Sequence, residues 1–118
     1  MKAEDRLQIA VMSYIRLQYP NALAIHVGNE RKTSPMAGAL LKRKGVMAGV
    51  SDILIFTPNK HHHGLCIELK IKPNKPTDSQ LEFMRRMSIE CKWGSAVCYT
   101  LEQAIAVINL YFNNILIN

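Results

Sequence analysis

The stretch GVSDILIFTPNKHHHGLCIELK, residues 49 to 70, sets Asp52 where one apolar run begins and returns with Glu68 and Lys70 inside another. A core strand ordinarily excludes such groups, because taking an ion out of water costs several kcal/mol or more unless a partner offsets it. The charges therefore lie on a wet face or carry out chemistry. Asp52 to Thr57 reads as one strand, and Leu65 to Ile71 as the next, with Leu65, Ile67, Leu69 and Ile71 alternating against Cys66, Glu68 and Lys70. Between them, PNKHHHG supplies the Pro, Asn and Gly of a turn, so the pair is expected to form an antiparallel hairpin. With the midpoint placed near His61, Asp52 falls opposite Lys70 and diagonal to Glu68. Diagonal neighbours lie about 7–8 Å apart, and Glu68 and Lys70 share a face, so the three charged ends converge. Two carboxylates in one place repel, which a divalent cation with oxygen ligands relieves; Mg²⁺ typically takes one or two protein carboxylates and keeps several waters. The neighbouring ammonium of Lys70 is placed to orient a water or to stabilise charge growing on a phosphate. On the hairpin alone, an Asp52–Lys70 surface ion pair and a chance E-x-K account for the same residues and are the commoner case.

The rest of the chain narrows the choice. At 118 residues it is expected to form one domain, spanning 1–118, around a single core. An apolar fraction of 48% beside a charged fraction of 20% belongs to a globular protein, with no repeat, no low-complexity tract and no apolar run of membrane-spanning length. The N-terminal MKAEDRLQ meets acidic residues at once and lacks the apolar core of a secretory signal. Three cysteines, Cys66, Cys91 and Cys98, have no zinc-binding spacing and fit reduced thiols, so a cytoplasmic location is expected. Lys and Arg number 15 against 9 acidic residues, which favours a polyanionic partner.

Local signals give the order of elements. Leu7, Val11, Tyr14, Ile15 and Gln18 keep helical spacing over residues 4 to 18, Glu4 and Asp5 suit the positive end of that helix, and Pro20 stops it. Ala22 to Val27 reads as a short strand. Ser34 before Pro35 is an N-cap with proline in the first turn, and Gly45 ends the helix over MAGALLKRK. After the hairpin, Thr77 and Gln80 make a capping-box pattern opening a helix to about Cys91. A buried strand at Ala96 to Tyr99 and a helix from Glu102 to Phe112 complete an αβαββαβα order.

An Asp following the Gly-rich turn GVMAGVSD, then E-x-K on the return strand, resembles the PD-(D/E)xK nuclease superfamily and, more narrowly, its virus-type replication-repair nuclease (VRR-NUC) domain. The resemblance spans almost the whole chain. It includes the first-helix pattern Glu4 to Gln8, His26-Val27-Gly28-Asn29-Glu30, LLKRKGVMAGVSD, and His63-Gly64-Leu65 leading into Ile67-Glu68-Leu69-Lys70. Thr77 to Gln80 and a closing A-x-x-x-I-x-x-Y-F (Ala104, Ile108, Tyr111, Phe112) complete it. It implies a restriction-endonuclease-like α/β fold, a mixed central sheet flanked by helices. It also implies that Asp52 and Glu68 bind Mg²⁺ or Mn²⁺, that the Leu69 carbonyl completes the coordination and that Lys70 assists the water. Glu4 matches a first-helix carboxylate that contributes to such sites, and dipole complementation explains it equally well. Gln80 matches a glutamine that contacts the site or the nucleic acid, although the capping box alone accounts for it. Ser51 stands where the superfamily name has Pro, a turn position that supplies no ligand.

The resemblance further implies a metal-dependent endonuclease acting on branched or double-stranded DNA. Stand-alone viral and bacteriophage members are similar to Holliday-junction resolvases and act as homodimers, which would place the protein in the cytoplasm of a bacterial host. A flap or single-strand nuclease, or a non-catalytic nucleic-acid-binding module, are the alternatives. Arg31, Lys32, Lys42, Arg43, Lys44, Lys72 and Lys75 are the expected phosphate contacts. His61, His62 and His63 read as a solvated hairpin tip, Trp93 as closing the core, and Met84 and Met87 as an apolar helix stripe. The tail Ile115-Leu116-Ile117 reads either as part of an interface or as cover for the chain's own core.

Overall fold

The computed structural model describes residues 1–28 and 34–118. Its elements are α1 (Ala3–Gln18), β1 (Ala24–His26), α2 (Pro35–Arg43), β2 (Ile53–Ile55), β3 (Leu65–Leu69), α3 (Asp78–Ile89), β4 (Gly94–Cys98) and α4 (Leu101–Phe112), in the expected αβαββαβα order. The caps set the boundaries. Ser34 Oγ accepts from the Ala37 amide, Thr100 Oγ1 from the Gln103 amide, and Thr77 and Gln80 form a reciprocal capping box.

The four strands lie in the order β1-β2-β3-β4, with β1/β2 and β2/β3 antiparallel and β3/β4 parallel, so the sheet is mixed. The strand β3 is buried along its whole length, because both faces of the sheet are covered there. Leu65, Ile67 and Leu69 join Ile53 and Ile55 in a core closed by Leu7, Val11, Met12 and Ile15 of α1 and Ala104, Ile108 and Tyr111 of α4. Alternation along the strand turns Cys66 and Glu68 to the opposite face. There α3 packs on β3 and β4, with Met84 as its buried residue and Met87 half-buried. Trp93 is also half-buried, edge-on to Phe56 at 5.2 Å.

The hairpin's register differs from the sequence expectation. Ile53 pairs with Ile67, so the hairpin pivots about Lys60, and Asp52 falls opposite Glu68 rather than opposite Lys70. The cause lies in the turn. Asn59 Oδ1 accepts from the amides of both His61 and His62, and the Asn59 amide donates to the His62 carbonyl. Asn59 Nδ2 donates in turn to the carbonyls of Tyr111 and Ile115.

The histidine run also divides. His61 and His63 are exposed, as expected, but His62 is buried. Its ring stacks on Tyr111, and its Nε2 accepts from the Ile117 amide at 2.9 Å. The tail thus closes on its own chain through Ile117, while Ile115 and Leu116 stay exposed. Burial, and then the neighbouring His61, hold the His62 imidazole below its ordinary pKa. A group held neutral in the fold contributes stability above its unfolded value, near 6.5, and loses it as the pH falls below that value. Chemical denaturation between pH 7 and 5 is expected to show a stability loss on acidification that is reduced in His62→Gln, where an amide oxygen can take the place of Nε2; equal slopes for the two proteins would contradict this.

Candidate metal centre

The site is built where β2 begins and β3 ends. Asp52 Oδ2 accepts from the Leu69 amide at 2.7 Å, so one carboxylate oxygen is anchored across the hairpin. The Asp52 carbonyl accepts from His26 Nδ1 at 2.7 Å and from the Val27 amide at 3.4 Å. A carbonyl only accepts, so His26 carries its proton on Nδ1. This role for His26 was not drawn from the sequence, where the residue appeared only within a motif; the pairing of β1 with β2 reveals it.

Directly opposite Asp52, Glu68 is 1% exposed, and its Oε1 has no hydrogen-bond partner. Its other oxygen is 3.9 Å from Lys70 Nζ, a long ion pair. Burial first, then the Asp52 charge and a side-chain hydrogen bond with Asp52 that the protonated form makes, push the Glu68 carboxyl up to about 9; Lys70 opposes this and Glu4 adds to it. Without a cation, the buried group holds its proton at neutral pH. Such a carboxyl, opposite a second one whose proton-sharing contact a cation would replace, matches the hard oxygen donors that Mg²⁺ or Mn²⁺ takes.

A cleft of about 380 Å³ opens beside the pair, lined by Lys2, Glu4, Asp5, Val27, Gly49, Val50, Asp52 and Gln80. Three of the expected residues, Glu4, Asp52 and Gln80, therefore share one cavity, Glu68 lies opposite Asp52, and Lys70 lies beside Glu68. Lys2 and Asp5 are additions to the expected site; the sequence marked Asp5 only as a helix-dipole residue and did not mark Lys2. Gln80 serves its capping box, its Oε1 accepting from the Thr77 amide. Leu69 meets Asp52 through its amide. Among the described residues, no three Asp, Glu, His or Cys side chains close on one point, so a dication here would draw much of its coordination from water and substrate oxygens.

Gly49 sets the cleft's width. Its φ is +84°, and a Cβ there would collide with the Ser79 carbonyl and sit 2.9 Å from the Gln80 nitrogen. Of the expected phosphate contacts, Lys42, Arg43, Lys44, Lys72 and Lys75 are exposed, with Lys72 lying over the Tyr99 ring at 5.6 Å. Arg31 and Lys32 lie outside the described residues, as do Asn29 and Glu30 of the motif at His26.

Two measurements check this geometry. Because the folded Glu68 pKa lies above the unfolded value of 4.5, metal-free stability is expected to fall as the pH rises from there to about 9. Thermal melts in chelator at pH 8 should therefore place Glu68→Gln above wild type, while added Mn²⁺ or Mg²⁺ raises the wild-type Tm and leaves Glu68→Gln unmoved; a wild-type Tm indifferent to both cations would count against the site. In urea unfolding, Gly49→Ala should lose about 2 kcal/mol or more, from the left-handed backbone and the collision together.

No protein-family model matches the sequence, and no curated protein matches it. Solved structures do. One titled "VRR_NUC domain protein" superposes with a TM-score of 0.78 at 27% identity, covering 100% of this chain and 94% of its own. A second, titled "VRR_NUC domain", gives a TM-score of 0.62 at 20% identity over 94% of this chain and 99% of its own, a likeness of fold alone. The αβαββαβα mixed-sheet architecture, matched over the full chain, is a restriction-endonuclease-like fold similar to that of VRR-NUC domains.

Proposed function

We propose that the protein is a divalent-metal-dependent, structure-specific DNA endonuclease that hydrolyses backbone phosphodiesters, with the four-way Holliday junction as substrate. The observation that carries this reading is the buried Glu68 carboxyl, with an unpartnered oxygen, directly across the hairpin from Asp52 at the side of an open cleft. The full-length likeness to a structure titled "VRR_NUC domain protein" supports the nuclease character of the reading.

Asp52 and Glu68, with the Leu69 carbonyl, are the groups that would hold Mg²⁺ or Mn²⁺, and Glu4 adds negative charge at the cleft. When bound, the dication offsets the two carboxylates and the charge that grows on the phosphate and the departing oxygen. Asp52 is kept in place by the Leu69 amide and by His26 at its carbonyl. Lys70, beside Glu68, aligns the attacking water and stabilises its deprotonated form. Gln80, whose Oε1 is taken by its helix cap, has its amide nitrogen left to donate to a phosphate oxygen.

The formal charge of +6 supports a polyanionic substrate. Lys42, Arg43, Lys44, Lys72 and Lys75, with Arg31 and Lys32, are assigned to backbone phosphates, contacts that position DNA without reading its sequence. Recognition then rests on DNA shape. A symmetric junction needs two matched cuts, which a two-fold homodimer supplies. The edge strand β4, whose Ser95, Ala96 and Val97 share a groove with exposed Leu81 and Ile89, is the face best suited to self-association. No helix among the described residues is long and apolar enough to cross a membrane, and the three cysteines are free, in keeping with the cytoplasm.

Cleavage of four-way junction, flap and linear duplex, each with Mg²⁺, Mn²⁺ or chelator, tests the reading. Wild type is expected to cut the junction in preference and only with a cation. Asp52→Ala, Glu68→Ala and Lys70→Ala should each remain folded and lose about 100-fold or more of the rate. Preferential flap cutting would move the substrate assignment, and variants that cut at the wild-type rate would end the proposal.

A further inference from the structure

The helix α2 is anomalous in this fold: among the described residues, none of its side chains is buried. Met36 is 84% exposed and Leu40 55%, one turn apart on the same face, and Val46 beyond the helix end is 45% exposed. A helix of nine residues is marginal in water by itself, since isolated helices below about 12–15 residues gain too little to hold together. Such an element is completed by something that covers its apolar face.

Charge indicates what covers it. From Ser34 to Ser51 the sequence carries Lys42, Arg43 and Lys44 and no Asp or Glu. A second copy laid against α2 would meet an equally acid-free, cationic surface, whereas the groove beside β4, with exposed Leu81 and Ile89, offers apolar surface free of that repulsion. A polyanion that also presents apolar surface complements both properties, and DNA with unstacked bases at a branch is such a partner. Position agrees with this. The Lys42–Lys44 end of α2 runs through Gly45 directly into Gly49 and Val50, which line the cleft of Asp52.

We infer that α2 is a branch-reading wedge: Met36 and Leu40 contact unstacked bases at the junction point, while Lys42, Arg43 and Lys44 hold the adjoining phosphates and deliver the backbone to Asp52. The inference rests on the branched-DNA reading above. It assigns structure specificity to residues that touch neither the acidic pair nor Lys70.

Binding measured in chelator, without cleavage, keeps the two readings apart. The DNAs are a four-way junction carrying 2-aminopurine at the branch and a linear duplex of the same arm sequence; the proteins are wild type, Met36→Gln/Leu40→Gln and Lys42→Ala/Arg43→Ala/Lys44→Ala. Both Met36 and Leu40 are exposed and Gln favours helix, so folding is expected to survive. Wild type should brighten the 2-aminopurine. The Gln pair should lose this signal and about 10-fold or more of the junction-over-duplex preference, with duplex affinity and its salt dependence unchanged. The triple Ala variant should weaken both DNAs and lower the salt slope by about 2–3. A Gln pair that keeps its branch preference overturns the wedge. So does a drop from dimer to monomer in sedimentation, which would give the face to a second copy. Tighter binding by wild type to phosphatidylglycerol vesicles than to junction DNA, lost in the Gln pair, would overturn it in favour of a membrane. Should the junction go uncut by wild type with Mg²⁺ or Mn²⁺, the nuclease reading fails while this binding comparison still decides the wedge.

Discussion

Everything in the site depends on one cross-strand pair, Asp52 facing Glu68, in which one carboxylate is tied down and the other is buried with an oxygen to spare. Two acidic groups opposite each other at the end of the two central strands would ordinarily be a defect, since like charges across a strand pair destabilise it. The fold tolerates the pair because the free-energy cost is shifted onto protonation: Glu68, at about 9, stays neutral until something positive replaces its proton. The same arrangement rigidifies Asp52. Its carboxylate answers the Leu69 amide, and its carbonyl answers His26 and Val27, so β1, β2 and β3 all converge on one residue.

The element order could be read from the chain because its punctuation is local. Ser34-Pro35, Thr77-Gln80, Pro20 and Gly45 act on neighbours within a turn of helix, and each stands where a boundary was expected. The register could not be read in the same way. The loop PNKHHHG closes around the Asn59 side chain, and Asn59 is itself held by carbonyls of Tyr111 and Ile115, more than fifty residues away in sequence. A pivot at Lys60 in place of His61 changes Asp52's opposite partner from Lys70 to Glu68, which brings the two carboxylates into direct rather than diagonal opposition. His62 escaped sequence reading for a related reason: its partners, Tyr111 and the Ile117 amide, come from the far end of the chain.

The acidic residues themselves were legible because burial makes them improbable unless they have a purpose, and the sequence shows them inside apolar runs. Their supports were not. Gly49 stood out as part of a Gly-rich turn, but its requirement comes from Ser79 and Gln80, which reach it only once α3 has packed onto β3 and β4. The capping box at Thr77 therefore has a second consequence beyond starting a helix: it fixes the backbone against which Gly49 lies, and with it one wall of the cleft.

The two sides of that cleft are built on opposite principles. One side, β2 and β3 with their helices, is packed throughout, so the carboxylates have little room to adjust. The other leads into α2, none of whose side chains is fully buried and of whose large apolar ones only Leu41 is half-covered. Catalytic groups benefit from the first kind of support, because their charges must already point where charge will develop. Recognition of a bent or branched polymer benefits from the second, because ordering a lightly held helix costs little in lost packing and can follow the shape of what binds. Had α2 been buried against the sheet like α3, the cleft would have a fixed rim and its cations would be spent on the protein's own surface. Leaving it uncovered is a loss of stability whose compensation must come from outside the chain.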